Sequence, residues 1–331
     1  MIVSIIICTS NRAPYLKKTL ESVQKLDLIA GLEHELILVE TGITDDINAV
    51  LQAISIRGIR VRRIAESHKG LAKARNLGVK EASGQILLFT DDDVQLPQSW
   101  IEIICAPILA GTADAVAGEV VIVPHLQRPW MTAVHRSWLA TTDSVDLSNP
   151  DRLVGANMAI SRAVFEKVPA FDEELGAGAL GPGEETLFSW QLKEAGFRLA
   201  GMASCRVWHH FQEDRLLRNR WLAVSKQFGI SIAYLAHHWQ HETILNARYH
   251  YYLTLAGYWI RRIVRWRQSL QKEGISEWEL GFLVRLHQLD YYLNERKHPR
   301  KYGRKGLIKL HPPSFASENL ENRDKTHKGM S

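Results

Sequence analysis

The chain has only three cysteines in 331 residues, Cys8, Cys105 and Cys205, an odd number at wide spacing. That excludes a disulfide framework and a cysteine-ligated zinc site, and it suits a reducing compartment. No run approaches the ~20 apolar residues that a spanning helix needs. The apolar start Ile2-Val3-Ser4-Ile5-Ile6-Ile7-Cys8 has no basic leader and runs at once into polar Thr9-Ser10-Asn11-Arg12, so it predicts a strand and not a signal peptide. No Gly-x-Gly-x-x-Gly follows that strand, which disfavours a dinucleotide oxidoreductase. No glycine-rich, basic phosphate loop follows it either, which disfavours a nucleotidyltransferase. Internal repeats are absent. The formal charge is only +5, with the basic residues concentrated late in the chain. Such a balance permits an anionic surface without demanding one, and no nucleic-acid partner is expected.

What is present is an alternation of strand and helix patterns. Ile2–Cys8, Glu35–Glu40, Ile59–Ile64 and Gln85–Thr90 read as strands, with Asn11–Gln24, a helix opened by Asp45-Asp46, and Lys69–Glu81 between them. That order predicts a parallel sheet with right-handed crossovers. Ile59–Ile64 alternates apolar and basic residues, as a half-exposed strand near a sheet edge does. Beyond Pro97 the pattern predicts a helix to about Leu109 and a strand over Ala115–Val123. Further strands are expected at Gly155–Ile160, Phe197–Ala200 and Val207–Phe211, with helices capped by Ser161 and running over Glu184–Ala195.

Everything turns on Asp91-Asp92-Asp93, delivered by the apolar run ending at Thr90. Ligands of open α/β sheets collect at the carboxyl ends of strands. Adjacent carboxylates there repel one another, and a hard divalent cation relieves the repulsion while holding phosphate oxygens. The alternative is a solvated acidic turn before a helix. The loops Thr9-Ser10-Asn11-Arg12 and Glu40-Thr41-Gly42 end neighbouring strands and should converge on the same edge. Lys69 and Arg75, on the helix between, can neutralise phosphates. A nucleotide diphosphate with a metal ion uses all of these groups.

In order along residues 1–230, these stretches resemble the motifs of family 2 glycosyltransferases. Ser4–Arg12 is similar to the family's opening strand, Leu38–Asp45 to its Val-Asp-Asn-Gly-Ser-Thr-Asp stretch, and Gly70–Gly78 to its Ala-Arg-Asn-x-Gly helix. Asp91-Asp92-Asp93 is similar to Asp-x-Asp. Gly155–Met158 and Phe171–Gly176 look like acceptor-side segments, and Gly183-Glu184-Glu185-Thr186 like Gly-Glu-Asp-Thr. The resemblance implies an α/β chain of GT-A type, a Rossmann-like, mostly parallel sheet flanked by helices, with a C-terminal helical extension. It implies inverting, metal-dependent transfer of one sugar from a UDP- or dTDP-type donor to a glycan or lipid-linked saccharide. Carried over by position, Thr9, Asn11, Arg12, Glu40, Lys69, Arg75, Asp91 and Asp92 would bind the nucleotide. Asp93, with Asp91 and either His209 or His210, would hold Mn²⁺ or Mg²⁺. Glu185, with Glu184 beside it, would be the general base. Asn157 and Trp138 would meet the acceptor or sugar. Departures are Ser10 for a common aromatic, Glu40 and Glu185 for Asp, Gln191 for a common Arg, and Leu217 at the Gln position of the processive Gln-x-x-Arg-Trp signature. Processive synthesis is therefore not expected. A degenerate member that binds nucleotide sugar as a non-catalytic subunit or regulator is the alternative.

The expected organisation is a catalytic region over 1–212 (nucleotide half to about 123, acceptor half from about 124), helices over 213–295, and a basic then polar, partly disordered tail over 296–331. The glycine-rich stretch 176–183 is expected to be a mobile loop. The aromatic, basic helix at about 249–268 invites two readings, contact with a membrane surface or packing on the catalytic region. The expected location is cytoplasmic, with or without peripheral attachment to the inner face of the membrane.

Overall fold

The computed structural model describes residues 1–42, 46–67 and 69–310. Residues 43–45 of the second motif stretch and 311–331 of the tail lie outside the described residues. Eight strands are present among those described: β1 (Ile2–Thr9), β2 (Glu33–Thr41), β3 (Ile59–Glu66), β4 (Ile86–Asp91), β5 (Val94–Gln95), β6 (Ala115–Ile122), β7 (Asn157–Ser161) and β8 (Leu199–His209). The helices are α1 (Ala13–Val23), α2 (Asp46–Ala53), α3 (Leu71–Glu81), α4 (Trp100–Leu109), α5 (Ala133–Trp138), α6 (Glu184–Glu194), α7 (Arg218–Leu235), α8 (Ala247–Val264) and α9 (Glu277–Glu295).

All eight strands form one sheet in the order β3-β2-β1-β4-β7-β6-β8-β5. The first four are mutually parallel, as the sequence predicts, and β3 is the edge. Beyond β4 the sheet departs from that expectation: β7 runs antiparallel to both β4 and β6, and β5 antiparallel to β8. Side chains alternate across the sheet with period two, so each strand feeds two cores. Val3, Ile5 and Ile7 join Leu36, Leu38 and Leu88 under α1 and α4. Ile6 joins Ile37, Val39, Leu87 and Phe89 on the face carrying Ala72, Ala74 and Val79 of α3. Burial on both faces explains the near-continuous apolar runs of β1 and β4.

Two strands expected at 197–200 and 207–211 are one bent strand, β8, paired in parallel with β6 across a register shift at Gly118/Glu119. The helix expected after Ser161 is a short 3₁₀ segment, Arg162–Glu166, without a side-chain cap. The C-terminal helices stack in the order α7–α9–α8, with α9 packing on both others. No helix among the described residues is long and apolar enough to cross a membrane. Of the expected tail, residues 299–310 fold back as a strap. Tyr302 and Lys309 form a β-bridge, Lys305 N donates to Trp239 O (2.9 Å), and the Trp239 indole donates to Gly306 O (2.9 Å). Gln191, at the position where an Arg is common, donates to the same Gly306 carbonyl (3.1 Å).

Candidate active site

The carboxyl ends of β1, β2 and β4 open into one cleft of about 970 Å³, closed on its far side by α5, the 176–186 segment and α7. β4 delivers Asp91, and the chain then turns so sharply that Val94 already pairs with His209 of β8 at the opposite side of the sheet. The triplet therefore lies along the floor of the cleft between the two halves of the sheet.

Its three carboxylates have different surroundings. Asp92 is buried, accepts from Thr9 Oγ1 (2.6 Å), and pairs with Arg12 Nη1 (2.7 Å). Burial outweighs the attraction of Arg12 and pushes its carboxyl up to about 7. Arg12 Nη2 reaches Asp93 Oδ2. Burial opposes the charge on Asp93 too, but His209 and Arg12 overcome it and hold the group below its usual range. Asp91 is the most open of the three, with Arg75 Nη2 at 3.5 Å. Burial raises its carboxyl against the pull of Arg75.

His209 supplies the test for a metal ion. Its Nδ1 lies 2.8 Å from Leu139 O, and a carbonyl only accepts, so Nδ1 carries the hydrogen. In the neutral ring Nε2 then presents a lone pair to Asp93 Oδ1 at 3.1 Å, an approach without hydrogen-bond alignment, and that buried oxygen has no hydrogen-bond partner. A proton on Nε2 would make this contact the ion pair that lowers the Asp93 carboxyl; without that proton two electron pairs face each other, and a metal ion would take its place. Among the described residues no three His, Cys, Asp or Glu side chains form a ready-made cage. Two protein ligands completed by diphosphate oxygens are the ordinary arrangement for Mg²⁺ at a nucleotide site. The residues present fit such an ion. His210, the alternative ligand, points instead to Gln95 (3.2 Å).

Across the cleft, Arg75 is the buried cation of the site. It donates to Glu184 Oε1 (2.9 Å) and faces Asp91 and Glu185 as well. Its seat exists because residue 155 is glycine: a Cβ there would stand 2.0 Å from Arg75 Nη2. One cation serves three carboxylates here, so the most buried of them is disfavoured as an anion. Burial first, and the charge of Glu185 second, push Glu184 up to about 8. Glu185 is half-buried on the cleft wall, and its Oε2 has no hydrogen-bond partner. The Cys8 thiol, also in the cleft, is pushed up to about 12 by burial and stays neutral.

Thr9, Arg12, Lys69, Arg75, the Asp triplet, Glu184, Glu185, His209 and Trp138 all line this cleft. Three expected residues do not. Glu40 is fully buried and receives Arg63 Nε (2.8 Å). Asn11 stands at the left-handed entry to α1, outside the lining. Asn157 is buried in the sheet, accepts from the Trp100 indole (2.9 Å), and donates to Glu119 O and Cys205 O. Arg215 is the residue that sequence reasoning missed. It lines the cleft near Asp93, makes no ion pair among the described residues, and has its pKa lowered by burial. Its turn after β8 carries no motif, so only the bend of the chain could reveal it.

Trp138 of α5 stacks on Phe228 of α7, with centroids 4.1 Å apart and planes at 14°. The 176–183 segment closes on itself through a Gly176–Gly181 bridge, and Gly176 lies against the Glu184 carboxylate, where a Cβ would come within 3.1 Å.

A sequence model described as "Glycosyl transferase family 2" matches residues 4–169. The chain is 28% identical over 119 residues to Glycosyltransferase GlyG of Streptococcus pneumoniae serotype 4, covering 36% of this chain and 38% of that protein. It is 30% identical over 179 residues to Uncharacterized glycosyltransferase YwdF of Bacillus subtilis, covering 53% and 63%. The chain thus spans less than two thirds of the length of these relatives. Among solved structures, mannosyltransferase PcManGT from Pyrobaculum calidifontis, in complex with GDP-Man and Mn²⁺, shares the fold with a TM-score of 0.52 at 14% identity. That likeness covers 98% of this chain and 81% of that one.

Proposed function

We propose, from the premise that this chain belongs to glycosyl transferase family 2, that it moves one sugar from a nucleotide diphosphate donor to a glycan or lipid-linked saccharide, with inversion at the anomeric carbon. One observation carries the reading: two buried carboxylate oxygens without hydrogen-bond partners, Asp93 Oδ1 and Glu185 Oε2, line the same cleft. Unsatisfied buried acceptors are costly, and each here suits a specific task. Asp93 Oδ1 and His209 Nε2 would hold Mn²⁺ or Mg²⁺, which when bound neutralises charge on the leaving diphosphate. Lys69 and Arg215, cleft cations without ion pairs among the described residues, would hold phosphate oxygens. Arg12 and Thr9 fix the orientation of Asp92 and Asp93. Glu185 Oε2 would take the proton of the acceptor hydroxyl as its oxygen forms the bond to the anomeric carbon and the bond to the diphosphate breaks. Glu184, held by Arg75, positions that base. Trp138 and Phe228 offer an aromatic face to the acceptor sugar.

A second reading, binding of nucleotide sugar without transfer, draws on Glu40, which faces Arg63 rather than the open cleft. Turnover decides between the two. UDP-, dTDP- and GDP-sugars are to be screened by calorimetry and by slow donor hydrolysis with Mn²⁺. One donor should bind, Asp93→Ala should lose the metal-dependent part of that binding, and Glu185→Gln should bind normally while turnover falls by ~10²–10⁴. Unchanged turnover in Glu185→Gln would remove the base assignment, and binding without any turnover in the wild type would favour the second reading.

A further inference from the structure

The helix α8 has two apolar faces and only one of them is covered. Ala247 and Tyr258 are buried on the side that packs on α9. On the opposite side Tyr249, Tyr252, Leu253, Ile260, Ile263 and Val264 are each 57–76% exposed. At 3.6 residues per turn these six fall within a sector of roughly 120° along a helix of about 27 Å. Trp259 and Trp266 border the stripe and are also exposed. Exposed apolar residues scattered singly need no explanation, but a continuous stripe marks a contact surface.

Charge identifies the partner. From Arg248 to Lys272 the chain carries six basic residues and no Asp or Glu. Arg262 pairs with Glu279 of α9 at 3.1 Å, while Arg261 lies over the Phe282 ring of α9 (5.1 Å) and Arg265 over that of Trp278 (5.9 Å). Arg248, Arg261, Arg265 and Arg267 are exposed and make no ion pair among the described residues. Arg248 and Arg261 fall on the two flanks of the stripe, where a long side chain can lie along apolar material and extend its charge outward. A second copy docked through the same face would set arginines against arginines with no carboxylate in the segment to pair them, and like-charge juxtaposition opposes such a contact. An apolar stripe bordered by Trp and flanked by Arg is the composition of a helix lying in a lipid interface.

We propose that α8 is a membrane-surface anchor that lies in the interface of a bilayer containing anionic lipid, with its 249–264 stripe in the acyl boundary and its arginines at the phosphates. The inference does not depend on the transfer reading. If both hold, the anchor sets the cleft two helix layers from the lipid, because α9 joins α8 to α7 and α7 forms a cleft wall.

The test uses the full chain with unilamellar vesicles of phosphatidylcholine containing 30% phosphatidylglycerol, and of phosphatidylcholine alone, in a sedimentation assay at low and high salt. I260S/I263S changes only exposed apolar side chains, R261Q/R265Q removes exposed charges that also rest over the Phe282 and Trp278 rings of α9, and circular dichroism checks that both variants fold. Binding should favour the anionic vesicles and weaken with salt. It should fall at least about tenfold in I260S/I263S, and roughly twenty-fivefold in R261Q/R265Q, at about fivefold per arginine. Absence of binding to anionic vesicles overturns the proposal. So does binding that I260S/I263S leaves unchanged, which would place adsorption on another basic segment. Lipid-free self-association that I260S/I263S abolishes, without vesicle binding in the wild type, would assign the face to a second copy and equally overturn it.

Discussion

Removing the charge at Asp172 should loosen the strap over residues 299–310, and the loss can be worked out from the contacts. The carboxylate accepts from Tyr234 Oη (2.6 Å), Tyr302 Oη (2.8 Å), Lys309 Nζ (2.7 Å) and the Glu174 amide (3.0 Å). Asp172→Asn keeps the shape but loses the charge, and its amide nitrogen faces either Lys309 Nζ and the Glu174 amide, which only donate, or the two tyrosine hydroxyls, which must then turn to accept. Hydrogen bonds to charged groups stabilise by ~1.5–3 kcal/mol against ~1 for neutral ones, so weakening the three side-chain bonds of the four comes to about 3 kcal/mol. For a chain of this size that corresponds to a Tm lower by roughly 5 °C. Burial opposes ionisation of Asp172, but the bond from Lys309 and that from Tyr234 overcome it, and the pKa lies below its ordinary 3.8. The contribution is therefore complete above that value and is lost as pH falls through the folded-state pKa. The gap between wild type and Asp172→Asn should be full at pH 7 and should narrow in strong acid. Thermal unfolding across pH, with limited proteolysis of 299–310, measures both effects. Equal Tm values at pH 7 with unchanged protection of the strap would refute the reasoning.

Three further outcomes are expected. Gly155→Ala places a methyl 2.0 Å from Arg75 Nη2 and must unseat that side chain from Glu184, so turnover should fall at least ~tenfold; unaltered turnover would contradict the role given to Arg75. Glu184 has a folded-state pKa of about 8 against its ordinary 4.5, so the folded chain holds the extra proton between those values and stability falls as pH rises across the window. Glu184→Gln should flatten that slope in denaturant titrations, and an undiminished slope would assign it to other groups. Trp138→Ala removes the ring stacked on Phe228, so acceptor KM should rise about tenfold while donor binding holds; an equal loss of donor binding would argue against an acceptor platform.

Much of the nucleotide half was legible because its signals are local. A strand buried on both faces is a run of apolar residues, and Ile86–Phe89 says so without help from the rest of the chain. The same holds for α3 and for the glycine-preceded carboxylates at 184 and 185. What escaped was nonlocal. β5 is two residues long and is a strand only because β8 lies beside it. Ala203, Ser204 and Cys205 of β8 bulge out of register between Gly118 and Glu119 of β6, and pairing resumes beyond them at Arg206. Arg12 reads as a phosphate ligand in sequence, yet its partners Asp92 and Asp93 lie 80 and 81 residues away. The basic run after Arg296 reads as a tail because Asp172 and Glu174, which bind Lys309 and Lys301, are more than 120 residues upstream.

The spacing of these partners along the chain also orders how the site comes into being during synthesis. All the donor-side residues of the first half have been made once Asp93 is joined, and strands β1 to β4 can pair among themselves. The partner of Arg75 at Glu184 arrives 109 residues after it, and Lys309 reaches Asp172 across 137. At about 5–20 residues per second, roughly ten to forty seconds separate Asp93 from Lys309 on the ribosome. The acidic edge is present without Glu185 for the first part of that interval, and without the strap until its end. A nascent chain halted before residue 299 should therefore bind metal and nucleotide at its floor while leaving the wall that carries Glu185 without its brace.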